Sequence, residues 1–157
     1  MAPSASLAGS PAPSIALLDQ RGETVDVADY RGRKVLVYFY PKADTPGCTT
    51  QSCALRDIAG DVGTTVIIGI SPDLPAKLAK FDEKHGLGFT LLSDPEHTVS
   101  EAFGVWGEKK NYGRTYMGIV RSAFLIDENG TISHAWPKIG PKDTPTKLLA
   151  ALAESAD

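Results

Sequence analysis

Apolar and polar positions along this chain follow two patterns, and the two patterns succeed one another in a regular order. Unbroken runs of mostly apolar residues, rich in β-branched and aromatic types, at positions 34–40, 65–70 and 119–126 are typical of strands covered on both faces. Several of the stretches between such runs place apolar residues at the three- and four-residue spacing of an amphipathic helix. The pattern therefore predicts strands that alternate with helices.

The predicted helices begin and end at residues that favour helix ends. Thr45 is placed to cap a helix over residues 46–59, with proline at its first position. Asp73 is placed to cap the next helix, whose apolar residues recur at i, i+4 and i+7. Glycines follow the predicted helix ends, where a left-handed residue is common. The remaining helices are predicted to begin at the Asp-Pro pair 94–95 and the Thr-Pro pair 144–145.

Turn residues complete the order of elements and indicate the fold class. Residues 15–18 and 24–27 form a predicted N-terminal β-hairpin, and a second hairpin turns at 127–130 before a strand at 132–136. A short strand is expected at 90–92. This order favours an α/β fold with a central mixed β-sheet flanked by helices. The crossover rule predicts that strands 34–40 and 65–70 are parallel neighbours.

The length and composition limit the kinds of protein that this chain can be. Its 157 residues are 42% hydrophobic and 22% charged, as expected for one globular domain. A net charge of −3 argues against a nucleic-acid-binding surface. The apolar runs are too short to span a bilayer, so no membrane association is predicted.

The first residues have a different composition from the rest. Residues 1–12 are rich in Ala, Ser and Pro, which predicts a disordered lead-in to a single domain over residues 13–157. They lack the basic start and apolar stretch of a secretory signal, so a cytoplasmic location is expected. Thiols stay reduced there, and two cysteines are then better explained by chemistry or metal binding than by a structural disulfide.

Both cysteines lie where the predicted helix 46–59 begins. Cys48 falls in the first turn, where unpaired backbone N–H groups carry partial positive charge and favour the thiolate, the reactive form of cysteine. Lys42 and Arg56 are cations near it in sequence. A second thiol such as Cys53 can capture the oxidised product of the first. Pro41 stiffens the loop that leads into the helix.

The spacing of the two cysteines has a geometric consequence. Residues five apart in an ideal α-helix have Cα atoms about 8.6 Å apart, from the rise, rotation and radius of the helix. A disulfide needs a Cα separation below roughly 7 Å. Cys48 and Cys53 therefore cannot form a disulfide while the helix is intact, and an intramolecular disulfide requires local unwinding.

The run from Pro41 to Cys48 resembles the Pro-x-x-x-Thr-x-x-Cys signature of peroxiredoxins. The longer run 38–57 is similar to the bacterioferritin-comigratory, or Q-type, branch of that family. The resemblance continues along nearly the whole chain, through the segments 69–73, 91–95, 106–109 and 121–127.

The resemblance implies a thioredoxin-like fold and the reduction of peroxides without a cofactor or metal. Cys48 would be the peroxidatic nucleophile, with Thr45, Pro41 and Arg121 in the active site beside it. Cys53 would be the resolving cysteine, and the intramolecular disulfide would be reduced by thioredoxin or a similar dithiol protein. A resolving thiol in the same helix needs no partner subunit, which favours a monomer.

Three alternatives remain open at the level of sequence. A metal site would draw on the two cysteines and the scattered residues His85, His97 and His134, but closed zinc sites normally use short-spaced pairs from two places. A protein disulfide exchanger would usually carry Cys-x-x-Cys, which this chain lacks. A redox sensor or holdase would share the cysteine chemistry.

One segment of weak periodicity is left unassigned. It contains Trp106, Tyr112, Tyr116 and Met117, which either form an apolar wall beside the site or belong to the core. The sequence also does not choose between hydrogen peroxide and organic hydroperoxides.

Overall fold

A mixed β-sheet covered by helices on both faces forms the centre of the structure, which is a computed structural model that describes residues 7–155. The strands are Ala16–Asp19 (β1), Thr24–Asp26 (β2), Val35–Phe39 (β3), Val66–Ser71 (β4), Thr90–Ser93 (β5), Trp106–Asn111 (β6), Arg114–Ile119 (β7), Ser122–Ile126 (β8) and Ile132–Trp136 (β9). The α-helices are Pro46–Asp57 (α1), Pro75–His85 (α2), Thr98–Ala102 (α3) and Asp143–Ser155 (α4).

The sheet has seven strands in the order β2-β1-β5-β4-β3-β8-β9. β1 and β2 form the predicted antiparallel hairpin, and β8 and β9 form the second one. β3 pairs in parallel with β4, which confirms the predicted adjacency, and antiparallel with β8 on its other edge. The predicted α/β class with a central mixed sheet is confirmed.

β3 divides the core into two clusters, because its successive side chains point to opposite faces of the sheet. Leu36 and Tyr38 lie in the cluster that also contains residues of α1, α2 and α4. Val37 and Phe39 lie in the other cluster, with Val99 of α3, Phe103 just after that helix, and residues of β8. All five residues of β3 are buried, as the continuous apolar run predicts. On one face of the sheet, therefore, β3 supports α1 through Leu36 and Tyr38.

The predicted continuous strand over residues 119–126 is wrong, because the chain forms two strands there. β7 ends at Ile119 and pairs with β6 in a two-stranded sheet, separate from the main one. The N–H of Val120 then donates to the carbonyl of Val105, at 2.8 Å, and β8 begins at Ser122. Arg121 therefore lies at a bend between two sheets rather than inside a strand.

The β6–β7 hairpin accounts for most of the segment that the sequence left unassigned. Tyr112 is 99% exposed, and Tyr116 and Met117 are exposed as well, so these three residues are not part of the core. Trp106 is half-buried and stacks on the ring of His97, with ring centroids 3.8 Å apart.

Asp73 does not cap α2, contrary to the prediction. The N-cap position belongs to Leu74, and the carboxylate of Asp73 accepts hydrogen bonds from the N–H of Ala43, at 2.7 Å, and the hydroxyl of Ser71, at 2.8 Å. The side chain therefore ties the loop after β3 to the end of β4. This contact fixes one side of the loop that precedes α1.

The predicted lead-in over residues 1–12 falls partly outside the described residues, and its boundary with the domain stays a prediction. Residues 1–6 lie outside the described part of the chain, so their predicted disorder is not addressed. Within the remainder of the lead-in, Gly9 donates to Ile132 and Ala12 donates to Gly130 through their backbone N–H groups. Among residues 7–155, no helix has the length and apolar character needed to cross a membrane.

Candidate active site

Cys48 is the third residue of α1, and its side chain is completely buried. The chain leaves the carboxyl end of β3, turns through half-buried Pro41, and enters the helix at Pro46. This turn places the sulfur among the first backbone N–H groups of a 12-residue helix, where partial positive charge favours an anion.

Thr45 holds the N-cap position of α1, but its hydroxyl does not cap the helix. The hydroxyl donates to the carbonyl of Lys42 at 2.8 Å instead. The prediction of a capping side chain is therefore wrong. The hydroxyl closes the turn three residues before Cys48, and the Thr45 carbonyl accepts the N–H of Thr49 at 2.8 Å.

Arg121 contacts the sulfur of Cys48. Its Nη2 donates to Sγ at 3.3 Å, although the two residues are 73 positions apart. The register of the sheet explains the approach, since Ser122 of β8 pairs with Phe39 at the end of β3 and Arg121 directly precedes it. A guanidinium that donates to sulfur stabilises the thiolate over the thiol.

Arg121 also binds Gln51, which in turn binds Thr144. Nη1 of Arg121 donates to Oε1 of Gln51 at 2.6 Å, and Nε2 of Gln51 donates to Oγ1 of Thr144 at 2.9 Å. Both Gln51 and Thr144 are fully buried. Neither residue was predicted from the sequence to lie in the site. The spacing of Gln51 from Cys48, one helical turn, could have suggested the first, whereas no sequence signal links Thr144 to α1.

Gly47 leaves the space that the guanidinium of Arg121 occupies. A Cβ atom at this position would lie 3.1 Å from Nη2 of Arg121 and 3.7 Å from the ring of Pro141. The missing side chain therefore allows Arg121 to approach α1 closely enough to reach the sulfur.

A second cation, Lys109 of β6, lies near the same groups. Its Nζ donates to the carbonyl of Ile119 at 2.8 Å. Burial and the positive charge of Arg121 lower the pKa of Lys109, while Cys48 raises it. No role in the site was predicted for Lys109 from the sequence, and the fold brings its charge close enough to interact with Arg121 and Cys48.

The two cations named from sequence proximity do not contact Cys48 in this arrangement. Arg56 donates to the carbonyl of His85 and forms an ion pair with Asp57 at 2.9 Å, which is the main reason that its pKa is raised. Lys42 is exposed. Arg121 supplies the positive charge at the sulfur.

Cys53 lies in the same helix as Cys48, half-buried against the core cluster on that face of the sheet. Both cysteines are free thiols, and α1 is continuous between them. Ser52, the residue before Cys53, shares a 2.8 Å hydrogen bond with the buried hydroxyl of Tyr38. The geometry is that of the reduced, folded helix, in which an ideal i, i+5 Cα separation of about 8.6 Å forbids a disulfide.

The three histidines lie apart from the cysteines. His85 contacts Asp44 at 3.3 Å, His97 stacks on Trp106, and His134 contacts Glu154 at 2.9 Å. Among residues 7–155, no group of three or more His, Cys, Asp or Glu side chains is placed to hold a metal ion. The donors proposed for a metal site do not converge.

The sequence is similar to a known family and to proteins of several bacteria. A model of the AhpC/TSA family matches residues 8–135. Peroxiredoxin Bcp of Escherichia coli K12 is 54% identical over 151 residues, which are 95% of this chain and 97% of that protein. Peroxiredoxin Bcp of Bacillus subtilis is 47% identical over 151 residues, which are 95% of this chain and 96% of that protein.

Solved structures show the same similarity. A bacterioferritin comigratory protein of Xanthomonas campestris, studied for alkyl peroxide reduction, matches with a TM-score of 0.85 and 32% identity, over 91% of this chain and 92% of that one. Peroxidoxin BcpB of Mycobacterium tuberculosis matches with a TM-score of 0.81 and 32% identity, over 94% of this chain and 96% of that one.

Proposed function

This chain belongs to the AhpC/TSA family and is a thiol peroxidase that reduces peroxides, and we propose that Cys48 attacks the peroxide and that Cys53 resolves the product. The single observation that carries the proposal is the 3.3 Å contact between Nη2 of Arg121 and the buried sulfur of Cys48, at the first turn of α1. A fixed positive charge and the helix N-terminus both favour the thiolate.

The first step is a two-electron oxidation of sulfur. The Cys48 thiolate attacks the terminal oxygen of a hydroperoxide, the S–O bond forms and the O–O bond breaks. The leaving oxygen departs as hydroxide or alkoxide and takes up a proton, which gives water or an alcohol. Cys48 is left as a sulfenic acid. Arg121 is placed to stabilise the negative charge as it moves from sulfur to the leaving oxygen.

In this proposal, Thr45 and Pro41 set the conformation of the loop that precedes α1. The Thr45 hydroxyl closes the turn onto Lys42, three residues before Cys48. Pro41 lacks an N–H donor and restricts the backbone of the loop. Together they hold the entry to α1 in one conformation.

The second step forms the disulfide. α1 unwinds between the cysteines, the Cys53 thiol attacks the sulfenic sulfur, and water leaves as the S–S bond forms. Thioredoxin or a similar dithiol protein then reduces the disulfide by thiol exchange and is itself oxidised. This cycle uses one chain, which supports a monomer. The two free thiols and the need for a dithiol reductant support a cytoplasmic location.

The test compares serine variants of the two cysteines. Cys48→Ser is expected to lose peroxidase activity, while Cys53→Ser is expected to consume one equivalent of peroxide and then stop in a thioredoxin-linked assay. The intact mass of the wild-type protein after one equivalent of peroxide should fall by two hydrogens, with no dimer. Wild-type activity in the Cys48 variant would refute the assignment of the nucleophile, and a covalent dimer would refute the intramolecular disulfide.

A further inference from the structure

Thr144 is a buried residue at the start of α4, far along the chain from the cysteines, and its hydroxyl has two hydrogen-bond partners. It donates to the carbonyl of Gly140 at 3.1 Å and accepts from Nε2 of Gln51 at 2.9 Å. The reaction described above assigns no part to this residue. Its contacts nevertheless lead directly to the group that binds the sulfur.

Four hydrogen bonds link Cys48 to the carbonyl of Gly140 through Arg121, Gln51 and Thr144. Donor and acceptor can be assigned in only one way along this chain. A hydroxyl has a single proton, and the carbonyl of Gly140 can only accept, so Thr144 has only acceptor capacity left for Gln51. The amide of Gln51 must therefore present its NH₂ group to Thr144. Its oxygen then faces Arg121, which can only donate.

We propose that Thr144 is a positioning residue for Arg121, because its hydroxyl fixes the orientation of the Gln51 amide that holds the guanidinium on the sulfur of Cys48. This inference rests on the proposed peroxidatic role of Cys48. Without the hydroxyl, the NH₂ group of Gln51 lies buried without an acceptor. The amide is then held at its oxygen end alone and can shift from its position, so the guanidinium that it holds is no longer fixed on Sγ.

The matched variants are Thr144→Val, which keeps the shape and removes the hydroxyl, and Thr144→Ser, which keeps the hydroxyl. The measurement is the second-order rate at which one equivalent of hydrogen peroxide oxidises Cys48, followed by rapid quench and intact mass. We expect Thr144→Val to be slower by about fivefold, the rate equivalent of one buried hydrogen bond, and Thr144→Ser to stay within about twofold of wild type.

A second substitution separates positioning from a loss of stability. Gln51→Glu replaces the amide by a carboxylate, whose two oxygens both accept from Arg121 whichever way it turns. Adding Gln51→Glu to Thr144→Val should therefore restore the oxidation rate to within about twofold of the Gln51→Glu single variant. A merely structural role for Thr144 predicts no such rescue. If Thr144→Val does not fold, Thr144→Ala removes the hydroxyl with a smaller side chain and takes its place.

The outcomes distinguish this proposal from the one on which it rests. A Thr144→Val protein that is oxidised at the wild-type rate, or that Gln51→Glu fails to rescue, overturns the role of Thr144 and leaves Cys48 as the nucleophile. Peroxidase activity in Cys48→Ser overturns the assignment of Cys48 whatever the Thr144 variants do. A slower Thr144→Val, a near-normal Thr144→Ser and rescue by Gln51→Glu together support the positioning role.

Discussion

The hydroxyl oxygen of Tyr38, on the central strand β3, lies 2.8 Å from the hydroxyl oxygen of Ser52, the residue that precedes Cys53 in α1. Both residues are fully buried. This hydrogen bond fastens the part of the helix that must unwind before Cys53 can reach Cys48. It is therefore a contact of the reduced fold that formation of the proposed disulfide would break.

Removing this hydrogen bond should accelerate disulfide formation. Tyr38→Phe removes one partner, and because a buried hydrogen bond contributes about 1 kcal/mol net, we expect the sulfenic acid to convert to the disulfide about fivefold faster. Rapid quench and intact mass after one equivalent of peroxide measure the rate. Ser52→Ala serves as the control, since it removes the same bond from the other side. An unchanged rate in both variants would show that this contact does not restrain the unwinding.

The same phenol predicts how stability depends on pH. Burial raises the pKa of Tyr38 above its ordinary value of 10.0, with only partial relief from the bond to Ser52. The folded state therefore keeps the proton that the unfolded chain releases, so stability is full below pH 10 and falls as the pH rises beyond it. We expect the free energy of unfolding, measured by urea titration, to drop as the pH rises from about 10 to about 11. The drop should be smaller in Tyr38→Phe.

Close packing of Tyr38 against β4 gives a prediction about Gly69. A Cβ atom at Gly69 would lie 2.7 Å from the ring of Tyr38, inside the buried core. Gly69→Ala should therefore destabilise the fold by about 1–3 kcal/mol through overpacking. Gly60 is the matched control, because it is exposed and has open space around its Cβ position. Urea unfolding should show Gly60→Ala close to wild type, and an equally stable Gly69→Ala would contradict the packing argument.

Arg121 makes two contacts at once, and lysine cannot reproduce them. Its Nη1 and Nη2 donate to Gln51 and Cys48, whereas an ammonium group is a single point charge. Arg121→Lys should therefore lower kcat/KM for hydrogen peroxide by about 10²–10³-fold, the range seen when one preorganised donor is lost. Alkylation of Cys48 by iodoacetamide should slow as well. The control is Arg21→Lys at an exposed position, and equal losses in both variants would refute a specific role.

Local patterns predicted most of the elements because they depend on neighbours in the chain. The unbroken apolar run of β3 predicted a strand buried on both faces, and Pro46 predicted the start of α1. The β6–β7 hairpin was not predicted, because residues 108–110 are charged and show no apolar alternation. The predicted capping roles of Thr45 and Asp73 were wrong, because the Thr45 hydroxyl bonds to the carbonyl of Lys42 and the Asp73 carboxylate bonds to the N–H of Ala43.

The sequence by itself determined the alternation of strands and helices, the position of Cys48 in the first turn of a helix, and the separation that keeps Cys53 from it. These depend on periodicity and helix geometry, which act over a few residues. Only the tertiary structure decided that Arg121 reaches the sulfur and that Gln51 meets Thr144. The physical reason is that a hydrophobic pattern states which residues are buried, while strand register and helix packing decide which buried residues meet.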